Sequence, residues 1–476
     1  MRLALPSILS LLLTQLDTGS AFNNCGGCNK IINNGSRHAV TRKNGVTKLN
    51  VQPKDDDVDN DGDSAPIINP SGTIMSRRHI FGKGASVAAA GAAVVVAAST
   101  GSLPGTTARP AYAAADNNSD DEFETILSQK ILLANLASAP VRNVIITGAN
   151  SGVGLAGAKL LVAAGHHVTL ACRTKAKADV AAQACLSYAA APDSSFFPDR
   201  RPGGTAVGAE CDLSSFASIR GFVESVKKED GLPTIDSLVL NAGLAHGQGE
   251  TEIYRTKEGF EESVGVNHLG HFYLFNLLAP TLAKGGGAGG GEATGGGGPR
   301  LVSTASGVHD PKTPGGDVGA PATLGSLSGF SNDGSNFSMV DGGPYDPDKA
   351  YKDSKLCNIL FMLEASRRYG GQFTVNAFSP GLIADPNGFF RNQNKAFATV
   401  FNRITKVAGV ASTNEFGGSA LAYLAVDPAV EGLTGGWYDQ APPGKFQLAK
   451  HAPSAEAQNV EEQKLLWDLS SKLVGI

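Results

Sequence analysis

Asn143-Val144-Ile145-Ile146-Thr147 is an apolar, β-branched run that leads directly into Gly148-Ala149-Asn150-Ser151-Gly152-Val153-Gly154, after which helical periodicity begins. A strand, a glycine-rich turn and a helix in that order build an anion site. The glycines let the backbone approach a pyrophosphate, and the helix N-terminus presents unpaired N–H groups and the positive end of its dipole. The spacing predicts cofactor contacts from Thr147, Gly148, Asn150, Ser151, Gly152, Val153 and Gly154.

Downstream, further apolar runs alternate with helical-period segments: His166 to Ala171, Thr205 to Ala209, Asp236 to Leu240, Leu301 to Thr304 and Phe373 to Phe378. Such alternation predicts an α/β fold, a single Rossmann-like doubly wound parallel sheet spanning residues 141–476. Two stretches interrupt it. Gly285 to Gly298 reads as a loop because ten of its fourteen residues are glycine. His309 to Asp346 is too long for an idle connection, so it is expected to border the active site.

The second run ends Leu170-Ala171-Cys172-Arg173-Thr174-Lys175, with no Asp or Glu placed to accept from a ribose 2′-hydroxyl. Arg173 and Lys175 suit a 2′-phosphate instead, which predicts NADPH as the cofactor. Asp212 and Leu213, after the third run, stand where such folds hold an adenine ring. Asn241-Ala242-Gly243 closes the fourth run beside the cofactor, and Pro380 and Gly381 after the sixth complete the expected contacts.

Tyr351-Lys352-Asp353-Ser354-Lys355 puts Tyr351 and Lys355 at i and i+4 on one helix face. An ammonium beside a phenol stabilises the phenolate and is expected to tune Tyr351 for acid–base work, while Lys355 also reaches a nicotinamide ribose. Ser306 can hydrogen-bond a substrate or the Tyr351 oxygen, and Asn267 can anchor a relay water. His268 and His271 are three apart, but no Cys or carboxylate accompanies them, so they read as packed or capping residues and no metal is expected.

Composition narrows the partners. Lys+Arg 40 against Asp+Glu 44 gives a formal charge of −4, so no basic field argues for nucleic acid. Six scattered cysteines in 476 residues exclude a disulfide-stapled scaffold. The amino-terminal region reads as targeting sequence. Residues 1–22 resemble a secretory signal peptide, with the apolar run Leu3 to Leu13 and small residues at Ser20-Ala21. Residues 23–115 read as a plastid transit region. It holds a twin-arginine-like segment at 76–113, opened by Ser76-Arg77-Arg78-His79, and residues 116–140 read as a linker. Within the transit region Cys25-Gly26-Gly27-Cys28 is a lone CxxC. The acidic run Asp55 to Asp63 begins like a calcium loop but meets Ile68 where a glutamate would close it.

TGxxxGxG at Thr147, NAG at Asn241 and YxxxK at Tyr351, in this order, resemble the short-chain dehydrogenase/reductase family over residues 141–476. The segments Ser338-Met339-Val340-Asp341-Gly342-Gly343, Tyr351-Lys352-Asp353-Ser354-Lys355-Leu356-Cys357-Asn358 and the terminal helix Ala457 to Gly475 are similar to the light-dependent NADPH:protochlorophyllide oxidoreductases. That resemblance implies reduction of a ring double bond with NADPH, with Tyr351 helping to deliver the proton. It implies a small, apolar substrate and a plastid, thylakoid-associated enzyme, stromal or lumenal. Peripheral contact with the thylakoid membrane and a homo-oligomer stay open. Phe389, Phe390, Phe397, Val400 and Phe401 could wall a flat macrocycle. The chain departs from the family at Leu382, where a cysteine is usual after Pro380-Gly381, and at Asp385-Pro386-Asn387. A light-independent NADPH reductase of an apolar carbonyl or alcohol keeps Ser306, Tyr351 and Lys355 without needing that cysteine. An inactive NADPH-dependent pigment-binding protein is a third reading, opposed by the intact Tyr351/Lys355 pair.

Overall fold

A computed structural model describes residues 125–476 except 192–195, 229–234, 248–249, 285–297, 314, 332–335, 384–404 and 406–408. The targeting sequences, the CxxC, the calcium-like run, most of the glycine-rich loop, Asp385 to Asn387 and the five residues offered as an apolar wall lie outside the described residues.

In chain order the main elements are β1 (Thr125–Ser128), α1 (Gln129–Ala134), β2 (Asn143–Thr147), α2 (Gly152–Ala163), β3 (His167–Cys172), α3 (Lys175–Ala190), β4 (Thr205–Glu210), α4 (Phe216–Lys228), β5 (Ser237–Leu240) and α5 (His271–Lys284). There follow β6 (Arg300–Thr304), α6 (Pro347–Tyr369), β7 (Thr374–Phe378), α7 (Asn414–Val426), β8 (Gly436–Gln440), β9 (Gln447–His451) and α8 (Val460–Val474).

The strands form one nine-stranded sheet in the order β1-β9-β8-β7-β6-β5-β2-β3-β4. β2 to β8 pair in parallel. Helices cover both faces, which is why β5, β6 and β7 are buried at every position and read as unbroken apolar runs. One buried cluster joins α4, α5, α6 and α8 to one face, and a second joins α1, α2, α3 and α7 to the other. Strand order reverses between β2 and β5, the switch point whose carboxyl-end crevice receives ligands in open α/β sheets.

The expected fold is present, and one edge departs from it. β9 runs antiparallel to β8, and β1 antiparallel to β9, with Thr125 opposite Lys450 and Ser128 opposite Gln447. The expected linker thus joins the fold from Thr125 onward. Leu132 and Leu136 are fully buried in the second cluster, and the Gln129 side chain reaches Ser419 on α7. A four-residue strand carries too little alternation to be read locally, and its partner is at the far end of the chain.

The expected terminal helix is α8. Trp467 is packed edge-on to Phe272 at 5.0 Å between ring centroids and stacked on Phe361 at 5.8 Å, with the Arg368 guanidinium over it at 4.5 Å. Replacing Trp467 with alanine should cost about 3–5 kcal/mol, as for other large buried aromatics. Urea unfolding should show this as a lower midpoint at unchanged slope.

Candidate active site

The glycine-rich turn closes onto the end of β5. Gly148 sits at φ +65°, and a Cβ there would lie 2.8 Å from Ala242 Cα. A Cβ on Gly154 would lie 2.5 Å from Asn241 Nδ2 and 2.8 Å from the Gly148 oxygen. Asn241 returns the contact: its backbone N–H donates to Thr147 Oγ1 at 2.9 Å and its amide to the Thr147 carbonyl at 3.0 Å, while Ala242 N–H also donates to Thr147 Oγ1 at 3.0 Å. Asn150, Ser151, Gly152 and Val153 stay partly exposed at the start of α2, where its free N–H groups point outward. This bare-backbone cradle fits the pyrophosphate of a nicotinamide dinucleotide.

Helix α7 seats the turn. A Cβ on Gly417 of α7 would lie 2.8 Å from both Val153 Cγ2 and Pro380 Cβ, so the nucleotide turn and the turn after β7 meet at one glycine. Sequence reading missed Gly417, which had no strand or turn signal to mark it. Gly381 itself sits at φ +79°, and Ser412 Oγ donates to the Pro380 carbonyl at 2.6 Å. Leu382 next to it is exposed and carries no ionisable proton.

At the end of β3 the expected pair of cations separates. Arg173 is half-exposed, with Nε 4.0 Å from Asp212 Oδ1, so it stays at the predicted adenine end. Asp212 also accepts from the Ser214 N–H and hydroxyl, and Leu213 is buried behind it. Lys175 turns instead to Asp179, one helical turn on, at 2.5 Å. The sequence also conceals a carboxylate: Glu210, opposite Cys172 on β4, accepts from the Lys175 backbone N–H at 3.1 Å. It was missed because parallel pairing, not chain order, brings it there.

The other end of the crevice is built on α6. Tyr351 and Lys355 lie one turn apart, with Lys355 Nζ 5.6 Å from the centre of the Tyr351 ring. Ser306, in the turn after β6, is hydrogen-bonded to the Tyr351 side chain. Lys355 Nζ donates to the Thr304 carbonyl at 3.1 Å and would lie 3.4 Å from a Cβ on Gly243. Ser306, Tyr351, Lys355 and Gly243 thus converge beside the nucleotide turn.

Electrostatics here differ from the sequence expectation. Burial holds the Tyr351 phenol above its ordinary value, against the Ser306 hydrogen bond that favours the phenolate. Burial also pushes the Lys355 ammonium down to about 8. At about 8 the Lys355 group is still mainly ammonium at neutral pH, so it remains the cation beside the phenol.

Asn267 also ties elements together. It lies in a π-helical turn, Gly265–Gly270, a geometry frequent at functional sites. Its amide oxygen accepts from Leu244 N–H at 2.9 Å, and its amide nitrogen donates to the Leu244 carbonyl and to Ser354 Oγ, both at 2.9 Å. Both amide hydrogens are used, while Oδ1 keeps a second lone pair that can accept from a water. Asn267 ties the loop after β5 to α6 through Ser354, whose hydroxyl donates to the Tyr351 carbonyl at 2.6 Å.

Both histidines of the turn are packed, as the sequence suggested. His271 Nδ1 donates to the Asn267 carbonyl at 3.0 Å, leaving Nε2 to accept from Thr147 Oγ1 at 2.8 Å. His268 Nε2 meets Ser470 Oγ of α8 at 2.8 Å. Burial pushes both down to about 3, so they are neutral.

The long insertion does reach the site. Lys352, adjacent to Tyr351, donates to the carbonyls of Val318 and Ala320. Lys349 donates to the Thr323 carbonyl at 2.9 Å and pairs with Asp353 at 2.6 Å and Asp341 at 2.9 Å. Lysines on either side of Tyr351 therefore fasten residues 318–323 against the catalytic end of α6.

A dinucleotide cradle at the sheet's switch point, with a Tyr–Ser–Lys cluster beside it, defines an oxidoreductase that works with a nicotinamide cofactor on a small molecule. The family described as short chain dehydrogenase matches residues 142–291. The chain is 36% identical over 340 residues to protochlorophyllide reductase of Marchantia paleacea, covering 70% of this chain and 68% of that one. It is 36% identical over 344 residues to protochlorophyllide reductase A of Arabidopsis thaliana, covering 70% and 77%. Both relatives are named as chloroplastic. A crystal structure of an uncharacterised protein from Mycobacterium paratuberculosis aligns with 71% of this chain and 97% of its own at 26% identity and a TM-score of 0.48. The chain belongs to the short-chain dehydrogenase/reductase family and resembles, within it, the protochlorophyllide reductases.

Proposed function

We propose that the protein is a plastid, light-dependent reductase that converts protochlorophyllide to chlorophyllide with NADPH. The observation that carries this reading is the Ser306–Tyr351–Lys355 cluster set beside the nucleotide turn, in a chain 36% identical to chloroplastic protochlorophyllide reductases. NADPH, when bound, supplies the hydride. Tyr351, kept protonated by its surroundings, holds the proton for the second carbon of the reduced bond. Ser306 orients the phenol, and Lys355, anchored on the Thr304 carbonyl, holds the ribose side of the crevice. Gly148, Gly152 and Gly154 admit the pyrophosphate, and Pro380 and Gly381 flank the nicotinamide end.

The NADPH choice rests on Arg173, half-exposed with only a long contact to Asp212. Arg173→Ala should weaken NADPH roughly tenfold or more, the loss expected for charge-assisted hydrogen bonds, and change NADH little. Titration of both dinucleotides by fluorescence checks this. Equal losses would remove the 2′-phosphate assignment.

Leu382 favours a second reading, because an exposed leucine provides no proton where the resembled family usually has a thiol. In that case the same cluster reduces an apolar carbonyl, or oxidises an alcohol, in darkness. The full-length protein, mixed in the dark with NADPH and protochlorophyllide and given one light flash, separates the two. A chlorophyllide absorption band appearing only after the flash is expected. Conversion in darkness, or pigment binding without conversion, overturns the light-dependent reading.

A further inference from the structure

Asp439, on β8, plays no part in the site as the sequence defines it. It is buried, and its carboxyl contacts three strand ends. The Gln440 N–H donates to Oδ1 at 2.7 Å, and the Ser379 hydroxyl is hydrogen-bonded to the carboxyl from the end of β7. Oδ2 lies 2.9 Å from where a Cβ on Gly307 would stand, so the turn after β6 rests its bare glycine on the carboxyl. Gly307 directly follows Ser306, which bonds Tyr351, and Ser379 directly precedes Pro380 and Gly381. Gln440 packs the same turn from beneath: its Oε1 lies 2.2 Å from a Cβ position on Gly381, and its buried Nε2 has no hydrogen-bond partner among the described residues.

We propose that Asp439 is a positioning residue for the reaction, bracing the Ser306–Gly307 turn against the Ser379–Gly381 turn so that the phenol and the nicotinamide end keep their spacing. It rests on the reading above, in which those two turns serve the reaction.

The brace works as a neutral acid. Burial, opposed by the Ser379 hydroxyl and the Gln440 N–H, pushes the Asp439 carboxyl up to about 7. The ionisable groups nearest it on the elements around it are His309 in the turn after β6, Tyr351 and Lys355 on α6, Tyr438 on its own strand, and Lys450 and His451 on β9. His309 is held between the Ser306 carbonyl and the Ser454 N–H, and burial pushes it down to about 4, so it brings no charge at neutral pH. On β9 the residue directly opposite Asp439 is Ala449. Lys450 faces the other side of the sheet opposite Tyr438, and His451 sits against Trp437. Above neutrality the carboxylate is a buried charge whose hydrogen bonds, among the described residues, come from a hydroxyl and one N–H, so the two turns should loosen as pH rises through about 7.

The test is NADPH affinity of the full-length protein between pH 6 and pH 9, read by fluorescence and independent of turnover. Wild type is expected to weaken roughly tenfold across that range, the coupling of one ionisation shifted by about one unit. Asp439→Asn, which stays neutral, is expected to lose the part of this dependence centred near pH 7 and to keep any centred near pH 8, where Lys355 titrates. A midpoint near pH 7 that persists in Asp439→Asn overturns the proposal. Ser379→Ala serves as a second variant if Asp439→Asn does not fold. Losing a hydrogen bond that favours the ionised form should move the midpoint to higher pH, and an unmoved midpoint also overturns the proposal. Failure of the flash experiment with this pH behaviour intact would count against the proposed substrate and leave the brace standing.

Discussion

Tyr351→Phe is expected to lower the rate of reduction by about a hundredfold or more, the usual contribution of a positioned acid, while NADPH affinity changes little. The phenol is the protonated group that Ser306 holds beside the crevice, and its surroundings keep it protonated through the whole neutral range. In a reduction the donor form is the one required; burial keeps that form populated while making the phenol a weaker acid. Lys355 lies over the ring, its own value pushed down to about 8 by burial, so it is mainly ammonium at neutral pH. Phenylalanine keeps the ring and its packing and removes only the O–H. Rapid-scan spectra after a single flash, and dark turnover with an apolar carbonyl, together read the loss. An unchanged rate in both assays would sink the two enzymatic readings at once and leave a pigment-binding role.

What could be read in the sequence was what is local. Six of the nine strands were legible to within one residue at each end because each is an apolar run bounded by turn residues. The turn from Thr147 to Gly154 and the Tyr351/Lys355 pair were legible because their chemistry depends on spacings of a few residues. Distance in sequence hid the rest. β1 finds its partner more than three hundred residues away at β9. Ser354 matters because Asn267 reaches it from a π-helical turn. Glu210, Gly417 and Asp439 act on turns that belong to other strands or helices, and nothing beside them in the chain announces it.

The glycines of the nucleotide turn give the second large effect, and they separate two physical causes. A methyl at Gly152 would have the left-handed backbone to contend with, φ +56°, but open space around it, its nearest neighbour being Asn414 Oδ1 at 3.7 Å. At Gly154 φ is ordinary, but the methyl would press on Asn241 Nδ2 and the Gly148 carbonyl, disturbing the bonds that hold Asn241 to Thr147. At Gly148 both apply, since φ is +65° and the obstacle is the backbone of Ala242, which cannot rotate away as a side chain can. Left-handed strain costs about 1–2 kcal/mol and overpacking about 1–3 kcal/mol. Gly148→Ala should therefore weaken NADPH by roughly a hundredfold, with Gly152→Ala near tenfold and Gly154→Ala between them. Comparing the three dissociation constants, with thermal unfolding of each apo protein as a check on folding, tests the order. If Gly152→Ala proved as damaging as Gly148→Ala, backbone strain alone would govern the cradle, and the close approach of Ala242 would be incidental to binding.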